Sequence, residues 1–126
     1  MNLEKCRYIV VEGPIGAGKT SLVHALARHL RADELLERPE DNPFLARFYD
    51  DMARYALAAQ LTFLFQRVDQ LRGLAQLDMF ARPTLADFLF DKDPLFARNT
   101  LSDDEFALYE KIFRHLKPQV PVPDLV

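Results

Sequence analysis

The chain has 126 residues, with 16 Lys plus Arg against 19 Asp plus Glu and a formal net charge of −3 at pH 7. That length suits one domain burying about two thirds of its unfolded surface, and the charge leaves no polycationic face for long nucleic acids, so a small anionic ligand held locally fits better. Cys6, the single cysteine, excludes an internal disulfide and the paired-cysteine zinc patterns. The apolar run before Glu12 is too short for a secretory h-region or a membrane span, so a soluble cytoplasmic protein without membrane association is expected.

Tyr8-Ile9-Val10-Val11 reads as a strand. Behind it stand Gly13, Pro14, Ile15, Gly16, Ala17, Gly18, Lys19 and Thr20, the complete pattern G-x-x-x-x-G-K-[ST], followed by a helix, which is the context this phosphate-binding motif requires. Successive backbone N–H groups of such a loop point inward and form an anion site at the helix N-terminus. Gly13 through Ser21 are therefore the expected polyphosphate cradle. Lys19 is placed to reach the terminal phosphates, and Thr20 to offer its hydroxyl to a magnesium ion, which prefers hard oxygen ligands.

From Thr20 to about Ala32, Leu22, Val23, Leu26, Ala27 and Leu30 recur at helical spacing. Glu34-Leu35-Leu36-Glu37 reads as a brief second strand, closed by Pro39 and Pro43. Phe44 to Leu77 reads as one or two helices with a stripe through Leu57, Leu61, Leu64, Val68, Leu71 and Leu74. Pro83 to Phe88 is a third strand entered by proline and broken by Asp91-Lys92-Asp93-Pro94, with Asp87 near its C-terminal end. Ser102-Asp103-Asp104-Glu105 is a capping box opening an amphipathic helix through Phe106, Tyr109, Ile112, Phe113 and Leu116, stopped by Pro118. Pro121 to Val126 is a loop turning into a strand. His24, His29 and His115 lack metal-ligand spacing.

Strands alternating with helices imply an α/β fold of the P-loop NTPase type, a parallel sheet covered by helices on both faces, with ligands outside the carboxyl ends of the strands. Residues 1–126 are expected to form a single domain of this kind. The chain stops at the first residues of a strand, so a missing C-terminal portion is expected.

The sequence resembles the deoxynucleoside kinase family, most closely its bacterial deoxyadenosine and deoxyguanosine kinase branch. The resemblance covers essentially the whole chain. It rests on Gly13 to Thr20, on Glu37-Arg38-Pro39-Glu40-Asp41-Asn42-Pro43-Phe44-Leu45, on Tyr49 followed by Gln60 and Arg67, and on Ala86-Asp87-Phe88-Leu89-Phe90-Asp91-Lys92. It implies that Glu37 is the general base at the nucleoside 5′-hydroxyl, although Arg38 intervenes before Pro39. It further implies that Tyr49 holds the sugar 3′-hydroxyl, that Gln60 reads the base with Phe63 packed beside it, and that Arg67 lies near the substrate pocket, where a guanidinium can orient a carboxylate. Where the family commonly carries an acidic residue followed by Arg and Ser, this chain has Ala86-Asp87-Phe88. Asp87 then takes the acidic role one position later, near magnesium or the substrate hydroxyl, and the arginine is absent.

The activity implied by the resemblance is transfer of the γ-phosphate of ATP, with Mg2+, to the 5′-hydroxyl of a deoxynucleoside, purine favoured, in nucleotide salvage. The family closes an arginine-rich lid from its C-terminal part and forms homodimers. Two other readings stand beside this one. A nucleoside monophosphate kinase related to thymidylate kinase shares the loop and the sheet, and a nucleotide-binding or dimerising fragment without turnover needs no more than residues 1–126.

Overall fold

Three short strands, β1 (Tyr8–Val10), β2 (Asp33–Leu35) and β3 (Thr84–Ala86), pair in parallel in the order β1-β3-β2. Tyr8 and Asp33 both stand opposite Thr84, and Val10 and Leu35 both stand opposite Ala86. The central strand is buried at all three residues, as expected of a parallel strand covered on both faces. At the β2 edge Asp33 and Glu34 are exposed, and charge of this kind protects an edge from pairing with another chain. The computed structural model describes residues 6–13, 18–76 and 82–126. These divide into a unit of Met1–Glu37, Gly73–Leu89 and Pro121–Val126 and a unit of Arg38–Arg72 and Phe90–Val120.

In the sheet unit, the free edge of β1 is taken by the last residues. Leu125 bridges Ile9 in parallel; the Val10 N–H donates to the Leu125 carbonyl at 2.9 Å and the Asp124 N–H to the Tyr8 carbonyl at 2.7 Å. The Asp124 carboxylate accepts the N–H groups of Arg7 and Tyr8 at 2.7 and 2.9 Å. Helix α1 (Lys19–Leu30) buries Val23 and Ala27 in a core with Cys6, Ile9 and Leu85. It stops where Arg31 turns to φ 53° and the Ala32 N–H reaches back to the Ala27 carbonyl at 2.8 Å, the bonding of a Schellman-type end.

Helices α2 (Leu45–Asp50), α3 (Met52–Arg72), α4 (Asp93–Thr100) and α5 (Asp103–Leu116) form the second unit. The expected span from Phe44 is thus two helices, and α3 ends at Arg72 in a 3₁₀ turn over Gly73–Gln76; Leu77 lies outside the described residues. The buried face of α3 differs from the leucine stripe at its start. Ala56, Ala59 and Gln60 are buried there, ahead of Leu64, Val68 and Leu71, while Leu57 and Leu61 are only partly covered. Small residues let α2 lie close against this end of α3, and that proximity overrides the size of the leucines.

The second strand begins one residue earlier than its sequence reading and leaves Leu36 and Glu37 outside the ladder. Asp91-Lys92-Asp93-Pro94 ends the third strand's segment as expected but then starts a helix that the breakers had concealed. Pro94 sits in the first turn of α4, where its missing N–H costs nothing. Helix α5 opens on the capping box: the Glu105 N–H donates to Ser102 Oγ at 3.3 Å, and the Ser102 N–H to Glu105 Oε1 at 3.0 Å. Among the described residues, no helix is long and apolar enough to cross a membrane.

Candidate functional site

The carboxyl ends of the strands in the sheet unit gather three of the sequence-predicted features. Beyond β1, the Val11 N–H donates to the Ala86 carbonyl at 2.9 Å, so the chain leaves the sheet there toward Gly13. Pro14, Ile15, Gly16 and Ala17 lie outside the described residues. Gly18 reappears at φ 77° as the residue capping α1, with no side-chain cap. This left-handed conformation is open to glycine and strained for other residues. Lys19 then opens the helix, half-buried, with Thr20 and Ser21 exposed beside it. The first turn of α1 contains no acidic residue, so nothing there competes with an anionic ligand for the positive end of the helix dipole.

Asp87 follows β3 directly and is 8% exposed. Its N–H donates to the Leu35 carbonyl at 3.2 Å, and its Oδ1 accepts the Glu37 N–H at 2.9 Å. One aspartate therefore fixes the backbone of Glu37 just past the end of β2. Glu37 itself is exposed, and a carboxylate is a side chain of the kind that serves as a general base. The donors on offer here, a threonine hydroxyl and a carboxylate, are hard oxygens. They fit magnesium, which takes only one or two protein oxygens together with phosphate and water; a cage of three or more His, Cys, Asp or Glu side chains is not present among the described residues.

The helical unit holds the remaining candidates. Tyr49 lies on α2 with 70% exposure, and Gln60 lies on α3 with 8%. Phe63 and Arg67 follow Gln60 at helical spacing, and the Arg67 guanidinium sits 5.4 Å from the Phe63 ring centre, within cation–π range. Arg67 donates to Oδ1 of Asp93, and the Tyr109 hydroxyl donates to Oδ2 of the same carboxylate. Asp93 is 1% exposed and Tyr109 wholly buried. Burial pushes the Asp93 carboxyl above its ordinary range, against the pull of Arg67 and the Tyr109 bond. Burial and the facing Asp93 carboxylate push the Tyr109 hydroxyl far above its ordinary range.

Sequence reasoning placed Arg67 beside a carboxylate without identifying one. Asp93 stands inside the breaker Asp91-Lys92-Asp93-Pro94, and the one local signal for it is the pairing of an acid with Pro94 at a helix start.

A family model described as deoxynucleoside kinase matches residues 9–126. The chain is 35% identical over 122 residues to the deoxyguanosine kinase of Bacillus subtilis (strain 168), covering 94% of this chain and 58% of that protein. It is 32% identical over 124 residues to the deoxyadenosine kinase of Dictyostelium discoideum, covering 94% and 49%. It thus spans about half the length of the curated relatives it matches. A solved structure of deoxyadenosine kinase from M. mycoides with bound dATP superposes with a TM-score of 0.77 at 21% identity, over 94% of this chain and 62% of that one. The superposition establishes the P-loop kinase fold.

Proposed function

This chain belongs to the deoxynucleoside kinase family, and we propose that the protein carrying it transfers the γ-phosphate of ATP to the 5′-hydroxyl of a deoxynucleoside, a purine one preferred. The observation that carries this reading is the complete phosphate-loop pattern after β1, closing on Gly18 at φ 77° and delivering Lys19 into the first turn of α1. Lys19 and the backbone N–H groups of the loop from Gly13 to Ser21, Pro14 excepted, hold the phosphates and meet the negative charge that grows on them in transfer. Thr20, with Asp87, would hold magnesium, whose chemistry when bound is to neutralise phosphate charge.

Glu37 accepts the proton of the sugar hydroxyl as the phosphoryl group moves. Its backbone is kept in place by Asp87, so the base is positioned by a buried residue of the central strand's end. Tyr49 holds the sugar 3′-hydroxyl. Gln60 pairs with the base edge, Phe63 packs beside it, and Arg67, steadied by Asp93, lines the same subsite. In this reading the protein is a cytoplasmic homodimer of nucleotide salvage.

The test uses the full-length protein carrying this sequence, with ATP, magnesium, and the four deoxynucleosides or the four corresponding monophosphates. Phosphorylation of nucleosides, fastest for a purine, is the expected result. Transfer to monophosphates alone would replace this reading with a nucleoside monophosphate kinase, and ATP binding without transfer would leave a nucleotide-binding protein.

A further inference from the structure

Asn42 is one of few buried polar residues, 4% exposed, and it belongs to neither a strand nor a helix. Its amide works in two directions. Nδ2 donates to the Ala59 carbonyl at 3.0 Å, and Oδ1 accepts the Phe44 N–H, also at 3.0 Å. Phe44 caps α2, the helix that carries Tyr49. Ala59 directly precedes Gln60 on α3. Ala56 and Ala59 are 0% and 1% exposed, and the absence of larger side chains there is what lets an asparagine reach the helix backbone.

A carbonyl inside an α-helix already accepts one bond from the residue four positions on, and its second lone pair can take another. Asn42 uses that spare capacity at the turn holding Gln60 and Phe63. The two helices that carry Tyr49 and Gln60 are therefore tied to one side chain, through Phe44 at the start of α2 and Ala59 beside Gln60 on α3. A substitution that deletes the donor leaves a buried carbonyl with one partner fewer and frees α2 from its fixed distance to α3.

We infer that Asn42 is a positioning residue for nucleoside recognition, setting Tyr49 and Gln60 relative to each other without touching substrate. This rests on the assignment of Gln60 to the base. The experiment compares Asn42→Ala, Asn42→Asp, Gln60→Ala and Thr62→Ala in the full-length protein, each assayed well below its own melting temperature. Asn42→Asp keeps an acceptor for the Phe44 N–H and lacks the donor to Ala59, so it decides the matter if Asn42→Ala fails to fold. Thr62→Ala removes a comparable bond, Thr62 Oγ1 to the Ala58 carbonyl at 2.7 Å, which links α3 only to itself.

Both Asn42 variants are expected to raise the KM for the deoxynucleoside roughly three- to tenfold, the scale of one lost buried hydrogen bond, with the KM for ATP unchanged. The purine-to-pyrimidine ratio of kcat/KM should fall in the Asn42 variants and hold in Thr62→Ala. A base-dependent loss in Gln60→Ala with normal nucleoside KM and base ratio in the Asn42 variants overturns the inference and leaves Gln60 in its role. Equal rises in both KM values, or the same change in Thr62→Ala, reduce Asn42 to a structural residue. A uniform loss over all bases in Gln60→Ala overturns the Gln60 assignment and this inference together.

Discussion

Lys19 and Glu37 act on opposite ends of the proposed transfer, and their variants should separate accordingly. Lys19→Ala removes a charge aimed at oxygens that become more negative in the transition state, so kcat/KM for ATP should drop by about 10²-fold or more while the melting temperature stays put. Unchanged turnover with unchanged ATP affinity would remove Lys19 from the phosphate site. Glu37→Gln preserves shape but cannot accept a proton; kcat should fall by about 10²-fold or more with a nearly constant nucleoside KM. Near-normal turnover there, with a large loss in Glu40→Gln, would move the base to Glu40. Both proposed roles start from neighbours in sequence, Lys19 from the spacing of glycines and Glu37 from the resemblance around Pro39, and the structure sets Lys19 at the start of α1 and Glu37 just past β2. Asp93 was not legible, since the partners that give it meaning, Arg67 and Tyr109, come from two other helices, 26 residues before it and 16 after it.

At the scale of an element, α5 owes its start to two reciprocal bonds between Ser102 and Glu105. Ser102→Ala should cost about 1 kcal/mol, seen as a lower midpoint in urea with an unchanged slope, and Asp at the same position should restore most of it. A loss under a few tenths would mean that packing of Tyr109 and Phe113 alone holds the helix. This cap, the helix behind Gly18 and the third strand were all readable from local chemistry. The start of α4 was not, because proline marks a break in most positions and a beginning only in the first turn. Nor was the buried face of α3, where Ala56 and Ala59 outrank Leu57 and Leu61. Which side of a helix is covered depends on how near its neighbour comes, and size alone does not encode that.

Over the whole molecule, the buried hydroxyl of Tyr109 makes stability sensitive to alkali. Its folded-state pKa is raised from an unfolded value of 10.0 by burial and by Asp93, so below pH 10 the contribution is complete. Above pH 10 the unfolded chain has released this proton and the folded chain retains it, and stability declines by up to about 1.4 kcal/mol per pH unit. Urea unfolding between pH 9 and 11 should show Tyr109→Phe losing one proton's worth of that slope; parallel curves for the two proteins would contradict the assignment. The strand order carries a different consequence, one of timing. β1 and β2 do not pair with each other; each pairs with β3, which is roughly 75 residues after β1 and 50 after β2 along the chain. As the chain emerges during synthesis, Ile9 and Val10 have no lateral strand partner until the middle strand has been made, and neither ladder can close before then. Parallel pairing across such separations is slow, and the apolar first strand remains available to wrong partners meanwhile. Expression at lower temperature, or with chaperones that mask short apolar segments, should therefore raise the soluble yield more than any substitution on the helices.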